Sequence, residues 1–239
     1  MYINTLGIVL RIYPFKDNKT IGKIYTKDYG LVSFIIKKTK TQIILSQPLT
    51  IANIIYKKTK ANSLYYIKET SLNYMYQSVP YDVKKLNCCL VLCEILNKCA
   101  KEPNPRLFNF ITESLKWLDC QVVYPAGFDT LFLTKFCELI GISPFNVEGT
   151  NHEYLQLNLN EGVFIENIGV DERKEGLVPR NESVELLRLA SMKYENLHDY
   201  KITHEINEKL FNYLVLYISK HLVDIRNLKS IKILKEITA

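Results

Sequence analysis

Ile21-Gly22-Lys23-Ile24-Tyr25-Thr26-Lys27-Asp28-Tyr29-Gly30-Leu31-Val32-Ser33-Phe34-Ile35-Ile36 reads as two strands, Ile21 to Thr26 and Leu31 to Ile36, folded about a tight turn. Both arms are rich in residues that suit a pleated, half-buried surface. Gly30 in Asp28-Tyr29-Gly30 can take the positive φ that a short antiparallel connection requires. Working outward, Ile3 to Tyr13, Leu49 to Tyr56 and Leu64 to Lys68 have the same character and are bounded by polar or glycine-containing segments. Five short strands in about 75 residues is the count of an OB-type barrel, and a five-stranded SH3-like barrel would produce nearly the same string.

From about Tyr81 the period becomes helical. Leu86, Cys89, Leu90, Cys93, Leu96 and Ala100 recur at steps of three and four and define one buried stripe. Asn104 as N-cap and Pro105 in the first turn announce a second helix with Leu107, Phe108, Ile111, Leu115 and Leu118 on its apolar face. A third spans about Asp129 to Ile140 and is closed by Gly141 and Pro144. These three are expected to pack as a bundle. Residues 154–166 return briefly to alternation and predict a hairpin turning at Asn160-Glu161-Gly162. Asp171 to Arg180 reads as a surface loop, followed by a helix after Asn181 and a long one capped by Thr203. The fold class expected is therefore α+β: an N-terminal five-stranded OB-fold barrel, residues 1–78, then a mainly helical domain, residues 79–239, with a small β-hairpin insertion.

A hydrophobic content of 47% beside 23% charged residues is enough to bury a core. No run approaches the roughly 18 apolar residues of a membrane span, and the N-terminus lacks the features of a secretory signal, which points to the cytoplasm. The cysteines Cys88, Cys89, Cys93, Cys99, Cys120 and Cys137 contain no Cys-x-x-Cys pair and are read as small core residues. Charge is the informative part of the composition. Residues 1–78 hold twelve Lys or Arg against Asp17, Asp28 and Glu69, a net +9, whereas the remainder is net −3. A basic part beside a slightly acidic one points to a polyanionic partner for the first.

The cations concentrate at strand ends and turns: Arg11, Lys16, Lys19, Lys23, Lys27, Lys37, Lys38, Lys40, Lys57, Lys58 and Lys60. Flexible ammonium groups so placed can reach phosphate oxygens without fixing a base register. Aromatic residues are interleaved with them, and Tyr13, Tyr25 and Phe34 are the candidates for stacking on unpaired bases. Catalytic signatures are missing: no glycine-rich phosphate loop, nucleophile elbow or His-Glu-x-x-His is present, and His152, His198, His204 and His221 are scattered. Neither an enzymatic activity, nor a cofactor, nor a metal is expected.

Six segments, in order, resemble the bacterial RecO recombination mediators. They are Thr5-Leu6-Gly7-Ile8-Val9-Leu10, Ile24 to Leu31 with its aromatic-Thr-charged-x-Gly-Leu hairpin, Gln47-Pro48-Leu49, Pro103-Asn104-Pro105-Arg106-Leu107-Phe108, Leu139-Ile140-Gly141-Ile142-Ser143-Pro144, and Leu228-Lys229-Ser230-Ile231. Many members of that family carry a four-cysteine zinc module after the third helix, whereas Phe145 to Glu153 contains no cysteine, which implies a zinc-free variant. The basic connection after Lys40 is also short. The resemblance implies a bacterial, nucleoid-associated repair protein that binds single- and double-stranded DNA, anneals complementary strands and, with RecR, helps load RecA onto strands coated by single-strand-binding protein. It implies further that the helical domain binds the acidic, apolar C-terminal tail of that coating protein, for which Lys135 among Phe132 and Phe136, together with Lys116, are the candidates. The alternatives are an RNA-binding or translation-associated OB protein, and a hydrolase or transferase with a basic appendage.

Overall fold

The computed structural model describes residues 1–16, 19–37, 39, 42–57, 64–147, 154–166 and 176–230. The chain forms two compact units, residues 1–122 with 228–239, and residues 123–227.

In the first unit β1 (Tyr2–Pro14), β2 (Lys19–Thr26), β3 (Gly30–Lys37), β4 (Ile51–Lys57) and β5 (Leu64–Tyr74) close a barrel in the order β1-β2-β3-β5-β4. The first half of β1, Tyr2 to Ile8, pairs with β4, and its second half, Gly7 to Pro14, pairs with β2. A bulge between Val9 and Arg11 bends the strand between its two partners. Closure comes from the parallel pairing of Ser33 to Ile35 with Leu64 to Tyr66. This pairing settles the choice between barrels in favour of the OB-fold. Val9, Ile24, Phe34, Ile36, Ala52, Ile54 and Tyr56 fill the interior, and Leu45, on a 3-10 turn at Ile43–Ser46, is completely buried with them.

The strand β5 runs six residues beyond the Lys68 expected from its pattern. Its second half, from Glu69 to Asn73, is largely exposed and carries no apolar alternation, because backbone pairing with β4 and the Thr70 hydroxyl bond to the Asn53 carbonyl (3.0 Å) hold it instead of burial. After it come α1 (Val83–Cys99), capped by the Asp82 carboxylate on the Lys85 N–H, and α2 (Pro105–Cys120), capped by Asn104 on the Leu107 N–H at 3.0 Å. The connection between β5 and α1 is tied to the end of α2 by a buried polar knot. The Asp119 carboxylate accepts from the N–H groups of Gln77 (2.8 Å), Ser78 (2.8 Å) and Val79 (2.9 Å) and from the Tyr74 hydroxyl (2.9 Å). Lys85, completely buried, donates to Ser78 Oγ at 2.7 Å and to the Gln121 carbonyl.

The opening hairpin is fastened twice. Internally, Thr26 Oγ1 donates to the Gly30 carbonyl at 2.9 Å and accepts from the Tyr29 N–H at 3.2 Å. Externally, the Leu31 N–H donates to the Lys101 carbonyl (2.9 Å) and the Tyr25 hydroxyl to the Glu102 carbonyl (3.2 Å), which docks the turn on the link between α1 and α2. Gly30 has φ +66°, and a β-carbon there would run into the Lys101 carbonyl and come within 2.7 Å of the Glu102 backbone. Gly30→Ala is therefore expected to lower stability by about 1–3 kcal/mol. A urea midpoint equal to that of the wild type would contradict this docking.

The second unit contains α3 (Phe128–Leu139), the hairpin β6 (Leu155–Asn158) and β7 (Val163–Glu166), α4 (Arg180–Ser191) and α5 (His204–His221). Gly162, φ +71°, closes the hairpin, and the Thr203 hydroxyl accepts from the Ile206 N–H (3.3 Å) to cap α5. The three-helix bundle expected from periodicity is divided. α1 and α2 belong to the first unit, and α3 packs with α4 and α5 in the second. Asn207 joins α5 to α3 by accepting from Thr130 Oγ1 (2.7 Å) and donating to Asp129 Oδ1 (3.0 Å). Amphipathic periodicity identifies a buried stripe but not the stripe it meets.

Among the cysteines, Cys88, Cys89, Cys93 and Cys137 are buried and form no disulfide. Burial pushes the Cys93 thiol up to about 12 and raises that of Cys89 as well, so both are neutral core groups.

Candidate nucleic-acid interface

Side chains alternate across a strand, so the residues flanking the buried Ile24, Phe34 and Ile36 face outward. On β2 these are Lys19, Ile21 and Lys23. Register then decides what stands beside each one. Arg11 of β1 lies directly opposite Lys23, and Lys19 lies directly opposite Lys37 of β3. Between these two basic pairs a single row crosses four strands, running Tyr13, Ile21, Ile35 and Tyr66. Tyr66 is 51% exposed and Tyr13 half-buried.

Like charges directly across a strand pair destabilise a sheet. Two such pairs on one face, flanking an apolar row with an aromatic residue at each end, form a platform that an anion with stackable rings would relieve and cover. Arg11 is prepared for that role: its guanidinium lies over the Tyr13 ring at 4.9 Å and is 4.0 Å from Glu94 of α1. The face is bounded on one side by helix. Toward Tyr25, α1 and the start of α2 cover it, while at the other end Lys37 is exposed.

Of the residues expected at the interface, Arg11, Tyr13, Lys19, Lys23 and Lys37 come together on this platform. Lys16 sits at the end of β1 beside the exposed Phe15, Lys57 at the exposed end of β4, and Lys27 at the far end of β2 from Lys19. Lys38, Lys40, Lys58 and Lys60 lie outside the described residues.

Two stacking candidates are corrected. Tyr25 does face outward, but it is completely buried against Phe108, with ring centroids 6.2 Å apart. Phe34 faces the barrel interior and packs edge-on against Tyr56 at 5.0 Å. Neither has a free ring face for a base. Tyr66, which sequence reasoning did not select, takes their place. Its parallel pairing with the buried Ile35 puts it at the exposed end of the outward-facing row, and only the register shows this.

The residues expected to hold a partner's tail are divided between the two units. Phe132 and Phe136 are completely buried in the core of the second unit. Lys135 pairs with Glu138 on its own helix at 3.2 Å, and Lys116, in the first unit, lies over the Tyr74 ring at 5.2 Å. The second unit instead offers a groove of about 460 Å³ beside α4. Val184, Ile202 and Ile206 supply apolar surface, while Arg180, Arg188 and Lys201 supply positive charge. Glu185, in the same lining, is held by Arg188 at 2.9 Å and by the Tyr200 hydroxyl.

Among the described residues no group of His, Cys, Asp or Glu comes together in a metal-holding arrangement, and no helix is long and apolar enough to cross a membrane.

An OB barrel with basic residues on one face, followed by a largely helical remainder, is the arrangement the chain presents. Within it, the family model described as recombination protein O N terminal matches residues 1–76, and that described as recombination protein O C terminal matches residues 80–230. The chain belongs to the RecO family. It is similar to the DNA repair protein RecO of Phocaeicola vulgatus, at 28% identity over 99% of both chains. The DNA repair protein RecO of Bacteroides fragilis is likewise 28% identical over 99% of both, and that of Porphyromonas gingivalis 23% identical over 98% of both.

Proposed function

We propose that this protein is a non-catalytic mediator of DNA repair and homologous recombination. It binds single- and double-stranded DNA along the barrel face and anneals complementary strands. With RecR, it helps load RecA onto DNA coated by single-strand-binding protein, in the bacterial cytoplasm at the nucleoid. The observation that carries the reading is the pair of like-charged contacts, Arg11 with Lys23 and Lys19 with Lys37, on either side of the Tyr13 to Tyr66 row. The repair names of the relatives support the same direction.

Phosphates neutralised on this face repel a second strand less, and bases laid on the aromatic row remain open to pairing. Lysines outnumber arginines among these cations, which favours backbone contact over base readout. The groove beside α4 suits the acidic, apolar tail of single-strand-binding protein, since such a tail needs apolar contact together with cations.

The test is a salt titration of binding to two unrelated single-stranded oligonucleotides. Affinity is expected to fall steeply and equally for both as salt rises, because phosphate neutralisation releases counter-ions from either strand. A flat response, or strong preference for one sequence, would sink the reading. Equal annealing of RNA, with no affinity for the tail peptide, would favour an RNA-binding role instead.

A further inference from the structure

The basic platform does not end at the edge of the barrel. The helix α1 packs along β1, with Glu94 reaching Arg11 at 4.0 Å. Lys98 lies one turn beyond Glu94 and Lys101 just past the end of the helix, where its carbonyl receives the Leu31 N–H and its ammonium donates to the Asn97 carbonyl. On the barrel side Lys23 stands two residues before Tyr25 on the outward face of β2, and the Tyr25 hydroxyl is bonded to the Glu102 carbonyl. Burial, and then the charges of Lys23 and Lys98, hold the Lys101 ammonium below its ordinary value. Among the described residues neither Lys23 nor Lys101 forms an ion pair. Glu94, the acid next along the helix, is engaged by the Ser230 N–H at 2.9 Å, by the Ser230 hydroxyl and by Arg11.

A bland account covers part of this. Cations in the last turn of a helix are favourable to its macrodipole, which would explain Lys98 and Lys101 on their own. It does not explain why the barrel brings Lys23 toward them, since a third positive charge there only adds repulsion. An anion shared by the three would remove that cost.

We propose that Lys23, Lys98 and Lys101 form a phosphate-binding site at the seam between β2 and the end of α1, which carries a DNA strand from the Arg11 and Lys23 pair onto the helix. This rests on the DNA-binding role proposed above and extends it to two residues outside the barrel. The strand's path then bends around the hairpin at Gly30 instead of following the barrel alone. The structural purpose of docking that hairpin on the Lys101 and Glu102 backbone becomes clear: it fixes the spacing between Lys23 and the helix-end lysines.

The experiment measures the dependence of single-stranded DNA affinity on salt for the full chain, for K98Q/K101Q, for K98R/K101R and for K19Q/K37Q. Each lost phosphate contact lowers the slope of log affinity against log salt by about 0.7, so K98Q/K101Q is expected to lose about 1.4 and K98R/K101R little. If K98Q/K101Q keeps the wild-type slope while K19Q/K37Q loses it, the seam site is wrong and the barrel reading stands. If neither variant changes the slope, both fail. Should loss of the Lys101 bond to the Asn97 carbonyl unfold the double variant, K98Q alone reads the same site with half the change.

Discussion

Asp119→Ala is expected to destabilise the first unit by about 3–5 kcal/mol, measured by chemical denaturation, which is a large share of the stability of an ordinary domain. The reason is what the carboxylate leaves behind. Its removal strands the N–H groups of Gln77, Ser78 and Val79 and the Tyr74 hydroxyl, and an unmatched buried donor costs about 1–3 kcal/mol each before relaxation. It also leaves Lys85 completely buried, held by Ser78 and the Gln121 carbonyl, with no carboxylate within the knot. Burial by itself would raise the Asp119 carboxyl, but the three backbone donors and Tyr74 outweigh it and hold the group below its ordinary value. The unfolded chain therefore takes up this proton more readily than the folded one. The stabilisation is complete above the unfolded value, near pH 4, and is lost as pH falls through the depressed folded value. The wild type should lose stability on acidification below about pH 4, and Asp119→Asn should lack that component of the slope. A parallel pH profile in the variant would show that the knot holds no charge.

The barrel was legible because strand composition, a Gly30 turn and the strand count are local signals. The helix caps were legible for the same reason: Asn104 and Thr203 bond the N–H groups three residues ahead. What escaped reading depends on register and on packing between distant segments. Tyr25 and Tyr66 illustrate the difference. Both are outward-facing aromatic residues on the barrel, yet Phe108, more than eighty residues along the chain from Tyr25, covers one, while the other is 51% exposed. Alternation assigns a face to each and says nothing of what lands on it. Asp119 escaped for a similar reason. A lone Asp at a helix end is unfavourable to the macrodipole, and its purpose emerges only when the connection after β5 points three N–H groups at it. The charge of residues 1–78 located the basic surface, but a count cannot show that Arg11 faces Lys23 and Lys19 faces Lys37.

That facing arrangement gives the other large prediction, in which binding and stability move in opposite directions. R11Q/K19Q/K23Q/K37Q removes both like-charged pairs at once. If each cation contacts one phosphate, the salt slope for single-stranded DNA falls by about 2.8, which near 0.1 M salt is a loss of roughly 10²–10³ in affinity. Stability should hold or rise, because each relieved cross-strand repulsion returns on the order of 0.2–1 kcal/mol. The favourable contacts given up, Arg11 with Glu94 at 4.0 Å and with the Tyr13 ring face at 4.9 Å, lie at a side chain 39% exposed and are worth at most about 1 kcal/mol each. A protein maintained for its fold alone gains nothing from these pairs, whereas one maintained for a polyanion accepts their cost. Affinity and melting temperature measured on the same preparation decide between these. Loss of binding with an unchanged or higher melting temperature places the DNA on this face. Unchanged binding would mean that the repulsion serves something other than DNA, and parallel loss of both would mean that the four side chains hold the barrel together.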